Sequence, residues 1–271
     1  MSLRICTGTP LIGCNPQRGK MRTVRLVRAL SKLGYCSRTK AQALIRAGHV
    51  RVNGLVHRDG ETRVALERDQ IEVEGRLLTS AARIYLMLNK PRGLVTTASD
   101  ERGRKTVYDC LAQGRFPWLP PVGRLDKASE GLLLFTNDTR WAGEILAPET
   151  HLEKTYHVQV DRLADEELQR RMIDGITTEE GDFLRVKRLH LLRRGSRHSW
   201  LEVVLDEGKN RHIRRLLSAF GVNVLRLVRV AIGPVQLGNL AKGAYRHLTE
   251  SERGSLASAT PEKRKREKEL T

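Results

Sequence analysis

GRLDKASEGLLLFTND, residues 123–138, sets one acid, Asp126, among Arg124, Lys127 and Ser129, and then passes through Gly131 into Leu132, Leu133, Leu134 and Phe135. A short unbroken apolar run behind a turn reads as a buried strand. An acid at the entry to such a strand is either a cap, accepting backbone bonds in the turn, or a reagent.

Outward from this stretch the chain keeps a strand-rich character. YLMLNKPRGLVTT (85–97) is an apolar strand that Pro91 and Gly93 break. Further strand-like runs are KTYHVQV (154–160), SWLEVVL (199–205), VLRLVRVAIG (224–233) and PVQL (234–237), with helical stretches near 140–147, 164–174 and 210–220. Strands dominate without a regular βαβ alternation. The expected fold of residues 84–250 is therefore α+β, with a mixed, mainly antiparallel sheet flanked by helices. In KTYHVQV, Tyr156, Val158 and Val160 share one face, so by pattern alone Tyr156 belongs to the core. In EGKNRHIRRLLSAFG (207–221), Ile213, Leu216, Leu217 and Phe220 form the buried stripe of a helix, with Arg211, Arg214, Arg215 and Ser218 opposite. Taken alone, that second face is a solvated or phosphate-binding one.

The first half is different. Residues 1–23 carry four basic and no acidic residues with no periodic apolar face, which predicts a flexible basic arm, and Met21 is a second candidate for the natural start. From Val24, VRLVRALSKLG spaces Val24, Val27, Leu30 and Leu33 as an amphipathic helix ending at Gly34. SRTKAQALIRAGHV repeats the design, with Ser37 as N-cap, an apolar face of Ala41, Leu44 and Ile45, and a stop at Gly48. Short alternating segments broken by Asn53-Gly54 and Glu74-Gly75 then read as hairpin strands. Residues 24–58 hold eight Lys or Arg and no acid, a helix pair that repels itself unless a polyanion meets it. The helix, Ser-Arg, helix, Gly-His-Val-x-Val-Asn-Gly order resembles the small RNA-binding module named after a ribosomal small-subunit protein. The resemblance covers about residues 22–83, placing a module at 24–83. It implies RNA contacts from Arg38, Lys40, Arg46, His49 and Arg51.

Composition agrees with a nucleic-acid partner. The 271 residues contain 49 Lys and Arg against 31 Asp and Glu, a formal charge of +18. No apolar run approaches the roughly 20 residues that span a bilayer, and no secretory signal is legible, so the expectation is a cytoplasmic protein without a membrane partner. The four cysteines, Cys6, Cys14, Cys36 and Cys110, form no CxxC pair and point to neither zinc nor a disulfide framework. Residues 251–271, charged and poor in large apolar side chains, are expected to be a disordered tail, with a charged helix as the alternative over 261–269.

Together, GRLDKASEGLLLFTND, EKTYHV and EGKNRHIRRL occur in the order and spacing of the RsuA-like family of ribosomal RNA pseudouridine synthases. NKPRGLVTT and VRVAIGPVQLGNLAKGAYRHLT extend the resemblance from about Tyr85 to Thr249. It implies that Asp126 is the essential aspartate, Tyr156 the active-site tyrosine and Arg214 the basic residue that pairs with the aspartate, which a guanidinium can do through two parallel hydrogen bonds. Arg124 is then associated with the site of the flipped-out nucleotide, and Lys209 and Arg211 with phosphates. Two positions depart from the family pattern: His212 stands where glutamine is common, and Phe135 where leucine is. The implied reaction is isomerisation of uridine in ribosomal RNA, the large subunit favoured over the small subunit or transfer RNA. It consumes no water and moves no electrons out of the substrate, so no cofactor or metal is expected, in keeping with the absence of a Gly-rich dinucleotide loop, a P-loop or a His/Cys cluster. The expected partner is an RNA stem-loop, free or within a ribosomal assembly intermediate, with a monomeric enzyme. Two other classes compete: a non-catalytic assembly factor with a decayed site, and a glycosidase built on Asp126 and Glu130. The intact Asp126, Tyr156 and Arg214 argue against the first, the basic charge and the 4% aromatic content against the second.

Overall fold

The computed structural model describes residues 23–98 and 100–258. Residues 1–22 of the expected arm at 1–23, and the part of the expected tail beyond Ser258, lie outside the described residues.

The chain opens with β1 (Val24–Arg25), α1 (Leu26–Lys32) and α2 (Arg38–Arg46), followed by β2 (Val50–Val52), β3 (Leu55–His57), β4 (Arg63–Val64), β5 (Ile71–Val73) and β6 (Arg76–Leu77). The first helix is shorter than its periodicity suggests, because Val24–Arg25 pairs with Arg63–Val64 instead of coiling. Its inner face is consequently Leu26, Ala29 and Leu30, with Val27 and Leu33 packed at the margin. The second helix starts where a cap can form: the Ser37 hydroxyl accepts from the Lys40 N–H at 3.3 Å. Strands β2, β3, β5 and β6 make an antiparallel sheet in the order β3-β2-β5-β6. Asn53-Gly54 and Glu74-Gly75 all have positive φ, which is what two-residue hairpin turns of the primed type demand. Helices and sheet enclose one apolar cluster that includes Leu26, Leu30, Ile45, Val50 and Ile71. This unit touches the rest of the chain at Gly34, whose carbonyl accepts from the Trp118 N–H at 2.8 Å.

The larger unit contains β7 (Tyr85–Lys90), β8 (Pro121–Val122), β9 (Glu130–Thr136), α3 (Thr139–Leu146), β10 (Lys154–Val160), α4 (Glu166–Asp174), β11 (Ile176–Thr177), β12 (Phe183–Leu184), β13 (Arg188–Arg194), β14 (Ser199–Leu205), α5 (His212–Ala219), β15 (Val224–Ile232), β16 (Val235–Gln236), β17 (Tyr245–His247) and α6 (Glu250–Ser258). Its sheet runs β13-β14-β10-β15-β9-β7-β17, with β8 on β9 and β16 on β15. Every pairing is antiparallel except β9 with β15, which align in parallel at Glu130↔Val228 and Gly131↔Arg229. The expected α+β architecture is thus the one found.

The all-apolar character of residues 132–135 has a simple cause. Leu132 and Leu134 pack into one cluster with α3 and α6, while Leu133 and Phe135 pack into another on the opposite side, and all four are fully buried. With both faces covered no alternation is needed. Each such side chain contributes about 1.5–3 kcal/mol of burial. A third cluster, with Val158, Leu201, Leu216 and Leu217, joins β10, β14, α4 and α5.

Two expectations need correcting. Residues 251–258 are not a disordered tail but most of α6, because Leu256 is fully buried and Thr249 caps the helix through a reciprocal pair with Glu252. RLHLLRR (188–194), passed over in the sequence, is the edge strand β13. Only Leu189 of that strand is buried, so the segment lacks the alternation that would have marked it.

Candidate active site

Asp126 sits at the junction of the two halves of the sheet, in the loop that feeds β9. Every carbonyl of this loop from Leu125 to Ser129 accepts a hydrogen bond. Thr96 Oγ1 donates to Leu125 O at 2.7 Å, and the Ser129 N–H to Asp126 O at 3.0 Å. The Gly93 N–H donates to Lys127 O at 2.7 Å, Arg214 Nη2 to Ala128 O at 3.2 Å, and Lys90 Nζ to Ser129 O at 2.8 Å. Lys90 Nζ also reaches Asp126 O and Pro91 O, each at 3.1 Å. A loop with its backbone satisfied in this way has one geometry. Its carboxylate, by contrast, makes no hydrogen bond or ion pair among the described residues and lines an open cleft.

Lys90 carries most of this anchoring and was not singled out in the sequence. It ends β7, it is fully buried, and burial pushes its pKa down to about 8 against smaller upward pulls from Asp126 and Glu130. The available signal was one charge within the otherwise uncharged YLMLN run, immediately before Pro91. Gly131 secures the exit of the loop. Its φ is +102°, and a Cβ there would lie 2.2 Å from the Arg229 carbonyl oxygen, so β9 and β15 approach as closely as they do only with glycine at this place. Beside it Glu130, 3% exposed, is gripped by Arg226 at 3.0 and 3.1 Å and by Lys242 at 2.7 Å. Burial alone would raise its pKa, but these partners hold it below the ordinary glutamate value. The acid is consumed by structure, which removes it as the second carboxylate of a glycosidase.

Tyr156 is half-buried on β10, packs against the clusters on both sides of the junction and lines the same cleft as Asp126. Arg214 is brought near, but not in the manner expected. No Arg214–Asp126 contact falls within ion-pair distance; the guanidinium is spent on Ala128 O and on Val224 O, both at 3.2 Å, and its buried Nε has no partner. The physical reason is reach: α5 lies behind the aspartate loop, so the fork meets the backbone of the loop and of β15 first. Burial and then the charge of Arg211 pull its pKa below the ordinary arginine value, with Asp126 opposing. Arg214 acts on the aspartate through the loop and through its field.

Arg124 and Arg211 are exposed and line the rim of the cleft, and a second, mostly polar groove with Arg102 and Arg104 also takes in Asp126. Lys209 is at the same rim, tied to Phe183 O at 2.7 Å and Glu207 at 3.0 Å. His212 is 5% exposed and also lines the cleft; neither ring nitrogen makes a hydrogen bond of good geometry, and burial pushes its pKa below the usual histidine value, with the nearby Arg185 backbone opposing. Of the remaining predicted residues, Arg38, Lys40, Arg46, His49 and Arg51 are all exposed on the small unit, away from the cleft. Among the described residues, no group of three or more His, Cys, Asp or Glu could hold a metal ion, and no helix is long and apolar enough to cross a membrane.

Comparison with known proteins gives a consistent result. The RNA pseudouridylate synthase family model matches residues 84–219 and the S4 domain model residues 24–71. An uncharacterized RNA pseudouridine synthase of Aquifex aeolicus (strain VF5) is 38% identical over 244 residues, covering 88% of this chain and 96% of that protein. The ribosomal large subunit pseudouridine synthase B of Bacillus subtilis (strain 168) is 36% identical over 233 residues, 84% of this chain and 93% of that one. A crystal structure of a pseudouridylate synthase superposes with a TM-score of 0.61 at 31% identity, covering 86% of this chain and 99% of the other.

Proposed function

The chain belongs to the RNA pseudouridylate synthase family, and on that premise we propose that it converts a uridine of ribosomal RNA into pseudouridine with Asp126 at the ribose anomeric carbon. The observation that carries this reading is the aspartate loop, its backbone fixed at every carbonyl while its carboxylate lines a cleft shared with Tyr156. A carboxylate can attack C1′ as a nucleophile or stabilise positive charge there. The bond from C1′ to N1 breaks, the uracil turns, and a bond from C1′ to C5 forms. C5 gives up a proton and N1 gains one. The product has the atoms and electrons of the substrate.

Within this scheme Lys90 and Arg214 are positioning residues, fixing the loop and adding positive potential behind the carboxylate. Tyr156 flanks the base, where its ring can stack. The apolar Leu205, Leu227 and Ile232 that line the cleft limit water there, which would otherwise hydrolyse a detached sugar. The target nucleotide must leave its stack, a cost of about a few kcal/mol that is least in a loop. Arg124, Lys209 and Arg211 then meet its phosphates, and the basic S4 module holds the flanking stem. The large subunit is the favoured source of the RNA, since the B. subtilis relative is named for it.

The test is pseudouridine mapping of ribosomal RNA from cells lacking the gene, complemented with the wild type or with Asp126→Asn. One site lost on deletion and restored by the wild type alone is the expected result. No changed site would remove ribosomal RNA as the substrate, and restoration by Asp126→Asn would remove the aspartate from the chemistry.

A further inference from the structure

The floor of the cleft holds a second charged group that the scheme above leaves idle. Arg229 lies on β15 opposite Tyr156 in the strand register, is 4% exposed and lines the same cleft as Asp126. Among the described residues its guanidinium makes one hydrogen bond, from Nε to the Leu132 carbonyl at 2.7 Å, while its Nη2 is buried and meets no acceptor. Among the described residues no carboxylate lies within ion-pair distance of it, although Asp126 and Glu207 line the same cleft. Glu130, one residue before its parallel partner Gly131, is taken by Arg226 and Lys242. Beside it Lys154, two residues before Tyr156 on β10, also lines the cleft, its Nζ bonded only to Leu152 O at 3.0 Å. Burial and then the charge of Arg229 lower the pKa of this lysine. A buried cation with an unused donor, set beside a half-buried one, is costly in a folded chain, and the cost is met when an anionic oxygen arrives.

We propose that Arg229 is a further catalytic residue, one whose guanidinium binds a carbonyl oxygen of the target uracil and holds the negative charge the base acquires as it leaves C1′. The inference rests on the isomerase reading of the site. When the glycosidic bond breaks, its electron pair departs with N1 and spreads onto O2 and O4, and Asp126 answers the electron-poor C1′. When C1′ bonds to C5, the pair returns to that bond and the oxygens become neutral carbonyls again. A guanidinium suits this step because it stays charged, donates a planar fork and gives up no proton. Depth separates the base from the phosphates as its partner: Arg124, Lys209 and Arg211 are exposed at the rim where a backbone passes, and Arg229 is on the floor.

The experiment uses the full chain and a large-subunit ribosomal RNA transcript labelled with [5-³H]uridine, with tritium release read in a single turnover. Arg229→Gln should slow release by about 100-fold, the loss typical of a missing oxyanion donor, with RNA affinity changed by less than about threefold. Arg229→Lys should recover part of the rate. A transcript made with 5-fluorouridine supplies the readout that a merely structural role would not move, because fluorine stabilises the uracil anion. Loss of the parent nucleoside should then be slowed by Arg229→Gln at least about tenfold less than with uridine. If Arg229→Gln does not fold, Arg229→Lys is compared on the two transcripts in the same way. An unchanged rate, an equal deficit on both transcripts, or weakened binding at an unchanged rate would overturn the proposal, the last of these assigning Arg229 to a phosphate. A wild-type protein that releases no tritium would overturn the isomerase reading itself.

Discussion

At the scale of single residues, the site depends on what holds Asp126 rather than on Asp126 alone. Lys90 donates to three carbonyls, which uses every N–H of a charged ammonium. Lys90→Met should therefore lower the isomerisation rate by about 100-fold at nearly unchanged RNA affinity, a difference that single-turnover and filter-binding assays separate. The pH dependence follows from the same contacts. The pKa of Lys90 is depressed to about 8 in the fold, so the proton is lost there before it is lost from an unfolded chain, and a neutral amine serves only two of the three carbonyls. The rate should fall as pH rises through about 8. Folding stability moves the other way: burying the charge penalises the fold below that pH, and the penalty is relieved as pH climbs toward the value of a free lysine. A flat rate from pH 7 to 9.5 would mean that Lys90 stays charged or matters little. Gly131 makes a simpler demand. Gly131→Ala forces a Cβ to within 2.2 Å of Arg229 O at φ +102°, and should cost about 3 kcal/mol, measured by denaturant melts.

At the scale of elements, burial decides more than composition does. Strands β10 and β14 have the limits their sequences predict, because Val158, Val160, Leu201, Val203 and Leu205, at every second position, face one shared core. The edge strand β13 and helix α6 were not legible, since each offers only one buried apolar residue, Leu189 or Leu256, and the rest of its stability comes from partners distant in sequence. For α6 the distant partners are Trp141, whose Nε1 donates to Arg253 O at 3.3 Å, and the Tyr85 ring 5.1 Å beneath the Arg253 guanidinium, while the nearby Arg246 pairs with Glu252 at 2.7 Å. Leu256→Ala should destabilise the larger unit by about 2–4 kcal/mol, visible as a lowered melting temperature. A change under about 0.5 kcal/mol would mean that α6 is an appendage.

At the scale of the whole molecule, the chain joins a basic S4 module to a pseudouridylate synthase unit. Eight Lys or Arg and no acid across 24–58 give the small unit its charge, while Gly34 and Trp118 tie it to the larger one. If that surface grips phosphates, replacing Arg38, Arg46 and Arg51 with Gln should make the salt dependence of RNA affinity shallower by about 2 in log–log slope and leave the rate of bound substrate nearly unchanged. An unchanged slope would assign the module a structural role. The sequence by itself determined the two-unit plan, the α+β class and the family, because these follow from local periodicity, turn chemistry and short motifs read within a few residues. Only the tertiary structure decided that Arg214 serves the loop instead of bonding the carboxylate, that Glu130 is tied up, and that Lys90 and Arg229 are buried at the site. Those outcomes depend on pairs 36 to 97 residues apart. Whether two such groups meet is set by how β9 and β15 pack, and no local pattern carries that distance.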